Sequence, residues 1–103
     1  MKRRPAHDPQ AEEAALTGLS EAFARLRKPE DVRAFLEDLC TPAELEAMTD
    51  RWRVVPLLAQ GVPYREIHEL TQVSVTTIGR VARTLERGEG GYSLALRHRR
   101  NTA

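Results

Sequence analysis

Apolar side chains recur along this chain at helical, not strand, intervals. Leu16, Leu19, Phe23 and Leu26 step by 3, 4 and 3 residues, a narrow stripe on a helix expected from about Ala11 to Leu26 and ended by Pro29. Val32, Phe35, Leu36 and Leu39 share one face of a second helix, about Glu30 to Leu39. Glu30 and Asp31 fall in its first turn, where carboxylates suit the helix dipole. Thr41-Pro42-Ala43-Glu44 has the form of a helix start: threonine caps, proline fits the first position, and Glu44 completes a capping box. The helix that follows is expected to reach Ala59, with Leu45, Met48, Trp52, Val55 and Leu58 toward the core and Gly61 beyond its end. Pro56 interrupts that pattern. It lacks a backbone donor and crowds the carbonyl of Trp52, at about 3 kcal/mol in a regular helix. It also pushes Val55 away from helical angles. Because the apolar period continues across it, one helix kinked at Pro56 is predicted.

Beyond Gly61-Val62, Pro63 opens a short helix to about Leu70. Thr71-Gln72-Val73 makes a turn, and Ser74 caps a helix to about Arg87, closed by Gly88. The remainder, GEGGYSLALRHRRNTA, holds a glycine-rich bend, an apolar patch of Tyr92, Leu94 and Leu96, and a basic end. The predicted fold class is therefore all-α. Residues 1–10 form a flexible basic arm, 11–97 a single helical domain with a helix-turn-helix at 63–87, and 98–103 a basic tail.

Length limits the alternatives. A chain of 103 residues has room for one domain, and a helical domain this small often completes its core by dimerising. No stretch reaches the roughly 18 uninterrupted apolar residues of a membrane span. The opening MKRRPAHDPQ is basic, but AEEAALTGL behind it carries two carboxylates and makes a poor signal-peptide core. The single cysteine, Cys40, fits a reducing compartment and reads as a small apolar residue, so a cytoplasmic location is expected. Net charge is only +1, but residues 1–50 carry −4 and residues 51–103 carry +5. That split suits an anionic partner for the second half, or ordinary variation among helix surfaces.

The segment YREIHELTQVSVTTIGRVARTL concentrates the candidate chemistry. Ile67, Leu70, Val73, Ile78 and Val81 are placed to fix the crossing of two short helices. Ser74, Val75, Thr76, Thr77 and Gly79 then make a small leading turn suited to a major groove about 12 Å wide, where hydroxyls meet base or phosphate groups and methyls meet thymine methyls. Arg80, Arg83 and Arg87 follow against one acid, Glu86, and the helix N-terminus offers free amides to phosphate. Arg65 and His68 on the support helix complete the candidate DNA-binding set, with further phosphate contacts from Arg97, Arg99 and Arg100. Short amphipathic helix pairs also pack against protein. A helical interaction adaptor for an acidic partner, or a DNA-recognition module of a transposase or replication system, remains open beside a transcriptional regulator. Separated histidines at 7, 68 and 98 and the solitary Cys40 do not have metal-ligand spacing. Ser74 has no local His-Asp pair, and the glycines at 88–91 lack a P-loop lysine. Neither an enzyme, nor a metal, nor a cofactor is expected.

The span Thr41–Leu85 resembles the Trp-repressor family and, in its particulars, the YerC/YecD-type Trp-repressor-related regulators. LCTPAELEAMTDRWR, REIHELTQVSVTTIGRVARTL and the following RGEGGY carry the likeness, in order and spacing. The resemblance implies an intertwined all-helical homodimer that binds double-stranded DNA through its helix-turn-helix, most simply as a repressor. It also implies a ligand pocket. In Trp repressor two arginines flank the indole of bound tryptophan, and Arg51 and Arg80 match them. The small residue after the second arginine, glycine there, is Val81, and a serine further along is matched by Thr84. An indole between two guanidinium planes needs a gap of about 7 Å. A β-branched Val81 on its floor would narrow the slot, so the pocket is expected to be vestigial and tryptophan not to be the effector. Inside the motif, His68 replaces the usual alanine where the helices approach. Gln72 replaces the usual glycine of a left-handed turn, at about 1 kcal/mol of strain.

Overall fold

The computed structural model describes residues 8–101, with side chains through Arg97. Most of the expected basic arm and the side chains of the expected basic tail lie outside the described residues. All regular structure among them is helical: α1 (Pro9–Ala24), α2 (Pro29–Leu39), α3 (Pro42–Ala59), α4 (Tyr64–Thr71), α5 (Val75–Arg87) and α6 (Gly91–Asn101). The chain forms two compact units, one through Thr41 and one from Pro42.

In the first unit α1 begins at Pro9, two residues before the expected Ala11. Asp8 explains the early start. Its carboxylate accepts from the backbone N–H of Gln10 at 3.1 Å and of Ala11 at 3.4 Å, and Pro9 occupies the first helical position. Pro29 opens α2 in the same way, rather than only closing the helix before it. The rings of Phe23 and Phe35 meet edge to face, 5.1 Å between centroids. Neither helix buries a single residue, and Leu16 of the first stripe is 60% exposed.

The second unit contains the core. Val54, Val55, Ile67, Val73, Ile78 and Val81 are buried, flanked by half-buried Leu57, Leu58, Val62, Leu85, Tyr92 and Leu96. Complete burial of such aliphatic side chains contributes about 1.5–3 kcal/mol each relative to exposure. The expected inward stripe on α3 is thus displaced: Val54 joins Val55, while Met48 and Trp52 remain exposed. One helix continues through Pro56, as the apolar period predicts, and Val55 stays within it. Burial of Val54 and Val55 offsets the disfavoured local geometry. At its end, the N–H of Gly61 donates to Leu58 O at 3.0 Å and that of Val62 to Leu57 O at 3.1 Å. With Gly61 at φ 82°, this is a Schellman motif, closed by the apolar pair Val62 and Leu57 on the core. The expected glycine-rich bend is present, with Gly90 at φ 85°, and the apolar patch and basic end beyond it form α6, a helix the pattern did not predict, which reaches the core through Tyr92 and Leu96. Tyr92 also stands beside Trp52, 6.5 Å between ring centroids.

Candidate nucleic-acid interface

The turn between α4 and α5 is held by side chains from α3, from α4 and from the turn itself. The Thr71 hydroxyl, buried at the end of α4, donates to Ile67 O at 2.7 Å and accepts the Val73 N–H at 3.1 Å. Both capacities of a buried hydroxyl are thereby used. Gln72 takes the left-handed conformation, φ 65° and ψ 10°, that the expected turn demands. Its N–H donates to His68 O at 2.7 Å and its side-chain amide to Glu69 O at 3.1 Å. His68 Nδ1 donates to Val73 O at 2.7 Å, crossing the bend. From α3, Arg53 reaches the same place, its guanidinium donating to Thr71 O at 3.4 Å. Ile67, Val73, Ile78 and Val81 are buried as expected, but Leu70 is 63% exposed. Ile67 and Thr71, one turn apart, take the inner face of α4, which turns Leu70 outward.

Helix α5 starts with a closed cap. Ser74 Oγ accepts the Thr77 N–H at 3.1 Å and donates to Thr77 Oγ1 at 3.1 Å. Val75 and Thr76 lie exposed on the first turn, Val75 at 52%, and Thr77 is half-buried. Gly79 is half-buried, and a Cβ built there would meet only the Arg83 guanidinium, at an ordinary 3.8 Å. Packing within the described residues therefore does not require glycine, which disfavours a helix interior by about 1 kcal/mol against alanine. Arg80, Arg83 and Arg87 line one open pocket of about 370 Å³ together with Thr84 and Gly88. The Arg87–Glu86 ion pair, 3.5 Å between solvent-exposed groups, contributes little. Three guanidiniums along one exposed helix make a surface fitted to phosphate oxygens. Gly88 ends α5 where a Cβ would stand 2.5 Å from Thr84 O, so only glycine allows this closure.

The candidate DNA-binding residues do not all occupy one kind of position. Arg65 is exposed on α4, and Val75, Thr76, Arg80, Arg83 and Arg87 are exposed on α5. Ser74 and His68 have structural bonds in the cap and the turn. Of the ligand-pocket set that the resemblance implies, Arg80 and Thr84 line the same pocket, and neither Arg51 nor Val81 is part of its lining. Val81 is 1% exposed, its side chain in the core rather than on an open slot floor. Two residues gain importance only in the folded chain. Arg53 has no local signal, because its acceptor lies 18 residues away. Gly88 has the sequence signature of a helix stop, which does not reveal its tight approach to Thr84. Among the described residues no group of three metal-ligating side chains gathers, and no helix is long and apolar enough to cross a membrane.

Comparison with known proteins gives this arrangement a family. The family model described as Trp repressor protein matches residues 14–100. The chain is 35% identical over 81 residues to the uncharacterised protein YerC of Bacillus subtilis strain 168, covering 79% of this chain and 78% of that one. It also matches the crystal structure of a candidate Trp repressor from Staphylococcus aureus at 32% identity and a TM-score of 0.79, covering 90% of this chain and 96% of the other. With the matched span running from within α1 into α6, the chain belongs to the Trp-repressor family.

Proposed function

We propose that this protein is a homodimeric, sequence-specific double-stranded-DNA-binding repressor acting in the cytoplasm. The observation that carries the reading is the outer face of α5: an exposed leading turn followed by three arginines around one open pocket, on a helix-turn-helix braced from α3. Family membership supports the same reading. Val75, Thr76 and Arg80 would face base edges, and Arg65, Arg83, Arg87 and Arg97 the phosphates. The expected extension of this surface by Arg99 and Arg100 falls on side chains outside the described residues. Ser74 and His68 would serve the interface mainly by fixing the helix that carries it. Dimerisation is supported by helices α1 and α2, which bury no residue within the chain, and by exposed Leu16 and Leu39. Tryptophan has no place in this reading, since Val81, at the position where the resemblance implies a slot floor, is buried in the core. The regulator needs neither a cofactor nor catalytic chemistry.

A salt titration on duplex DNA tests the proposal. Affinity is expected to fall steeply with salt, and Arg83→Ala or Arg87→Ala to lower the logarithmic slope by about 0.9 for each phosphate no longer neutralised. Absence of duplex binding at low salt would overturn the reading in favour of a protein-interaction adaptor.

A further inference from the structure

The first turn of α5 has a composition that restricts what it can read. Distinguishing guanine or adenine in the major groove by paired hydrogen bonds takes arginine, lysine, asparagine or glutamine. None stands between Ser74 and Gly79, and Arg80, the first such side chain, follows only behind that leading turn. Hydroxyls are the remaining polar readers, but the Ser74 hydroxyl both accepts from and donates to Thr77, and Thr77 is half-buried. What remains outward is the two methyls of Val75 and the methyl and hydroxyl of Thr76, with the missing side chain of half-buried Gly79 one turn further on. Val75 and Gly79 lie one turn apart, so a methyl-bearing knob stands next to a gap on the same helix row. The Arg83 guanidinium approaches that gap, 3.8 Å from where a Cβ on Gly79 would be. Arg83 thus folds back along α5 toward the leading turn and places a positive charge at the margin of the apolar patch.

We propose that the Val75–Thr76–Gly79 face of α5 reads thymine through its C5-methyl group, with Gly79 as the clearance that admits it. The inference rests on the DNA-binding reading above and specifies its sequence class. The thymine methyl is the apolar group that unmodified DNA presents in the major groove, and a knob beside a gap buries it from water on two sides. A glycine that the chain's own packing does not need is accounted for by close approach from outside. The flanking guanidiniums complement the phosphates that any such approach brings near.

The test uses the full chain and a duplex selected from a random pool. Thymine is expected at the positions protected by α5, and replacing it there with deoxyuridine should weaken binding about threefold to fivefold, the effect of one buried methyl. Val75→Ala should lower affinity for the thymine duplex to that for the deoxyuridine duplex. Gly79→Ala should raise the thermal midpoint by about 4 °C yet weaken the selected site by about tenfold, separating folding from recognition. Equal affinity of the unaltered protein for thymine and deoxyuridine duplexes, or a Gly79→Ala protein that binds the selected site as tightly as the parent, would overturn the thymine reading while leaving DNA binding intact. Failure to bind any duplex at low salt would overturn both.

Discussion

His68 Nδ1 donates a 2.7 Å hydrogen bond to the carbonyl of Val73, joining the support helix to the residue that precedes the cap of α5. A carbonyl can only accept, so the proton resides on Nδ1. The acceptor belongs to a buried residue, and its loss would leave that carbonyl to find another partner. His68→Ala is therefore expected to destabilise the fold by about 1–2 kcal/mol, read as a lower denaturant midpoint. An unchanged midpoint would mean that this bond does not hold the turn.

Gln72 is the one non-glycine residue with positive φ among the described residues. Its side-chain bond to Glu69 O is solvent-exposed and only partly offsets the strain of a Cβ in the left-handed region. Gln72→Gly is expected to stabilise by about 0.5–1 kcal/mol and Gln72→Val to destabilise. Thermal unfolding of the pair checks the sign, and a lower midpoint for the glycine variant would contradict the argument.

At Gly88 the constraint is space, since φ is an ordinary −80°. A methyl group there collides with Thr84 O, a backbone atom of the last turn of α5. Gly88→Ala should cost about 1–3 kcal/mol and displace the last turn that carries Arg87. Circular dichroism and thermal melting measure this, and a variant as stable as the parent would show that the turn relaxes freely.

Exposed Leu16 and Leu19 on α1 predict a dimer in solution. Sedimentation at micromolar concentration should give twice the mass of the 11.6 kDa chain. Leu16→Glu with Leu19→Glu should dissociate or unfold it, because two charges cannot be buried unpaired. A folded monomer at that concentration would refute the homodimer.

Tryptophan should leave the protein unaffected. Val81 belongs to the core with Val54, Val55, Ile67, Val73 and Ile78, so the position that is glycine in the tryptophan binder is filled and closed here. Calorimetry with millimolar L-tryptophan is expected to give only heat of dilution, with DNA affinity unchanged. Micromolar binding would refute this.

Much of the architecture is legible in the residues themselves. Helical spacing of apolar positions, proline at helix starts, Ser74 as a cap and Gly61 and Gly88 as stops act over one or two turns, so local chemistry alone places α2 to α5 closely. The turn at Thr71–Val73 is legible for the same reason, whereas the left-handed conformation of Gln72 is implied only by the family resemblance. Periodicity defines a face but not the part of it that a neighbour covers. That depends on how helices cross, and only the tertiary structure turned Leu70 outward and Thr71 inward, left Met48 and Trp52 exposed, and closed the core over Val54. It also brought Arg53 to Thr71 across 18 residues and packed Tyr92 and Leu96 of α6 onto the core. Those interactions are long-range, and a sequence pattern read a few residues at a time contains no information about them.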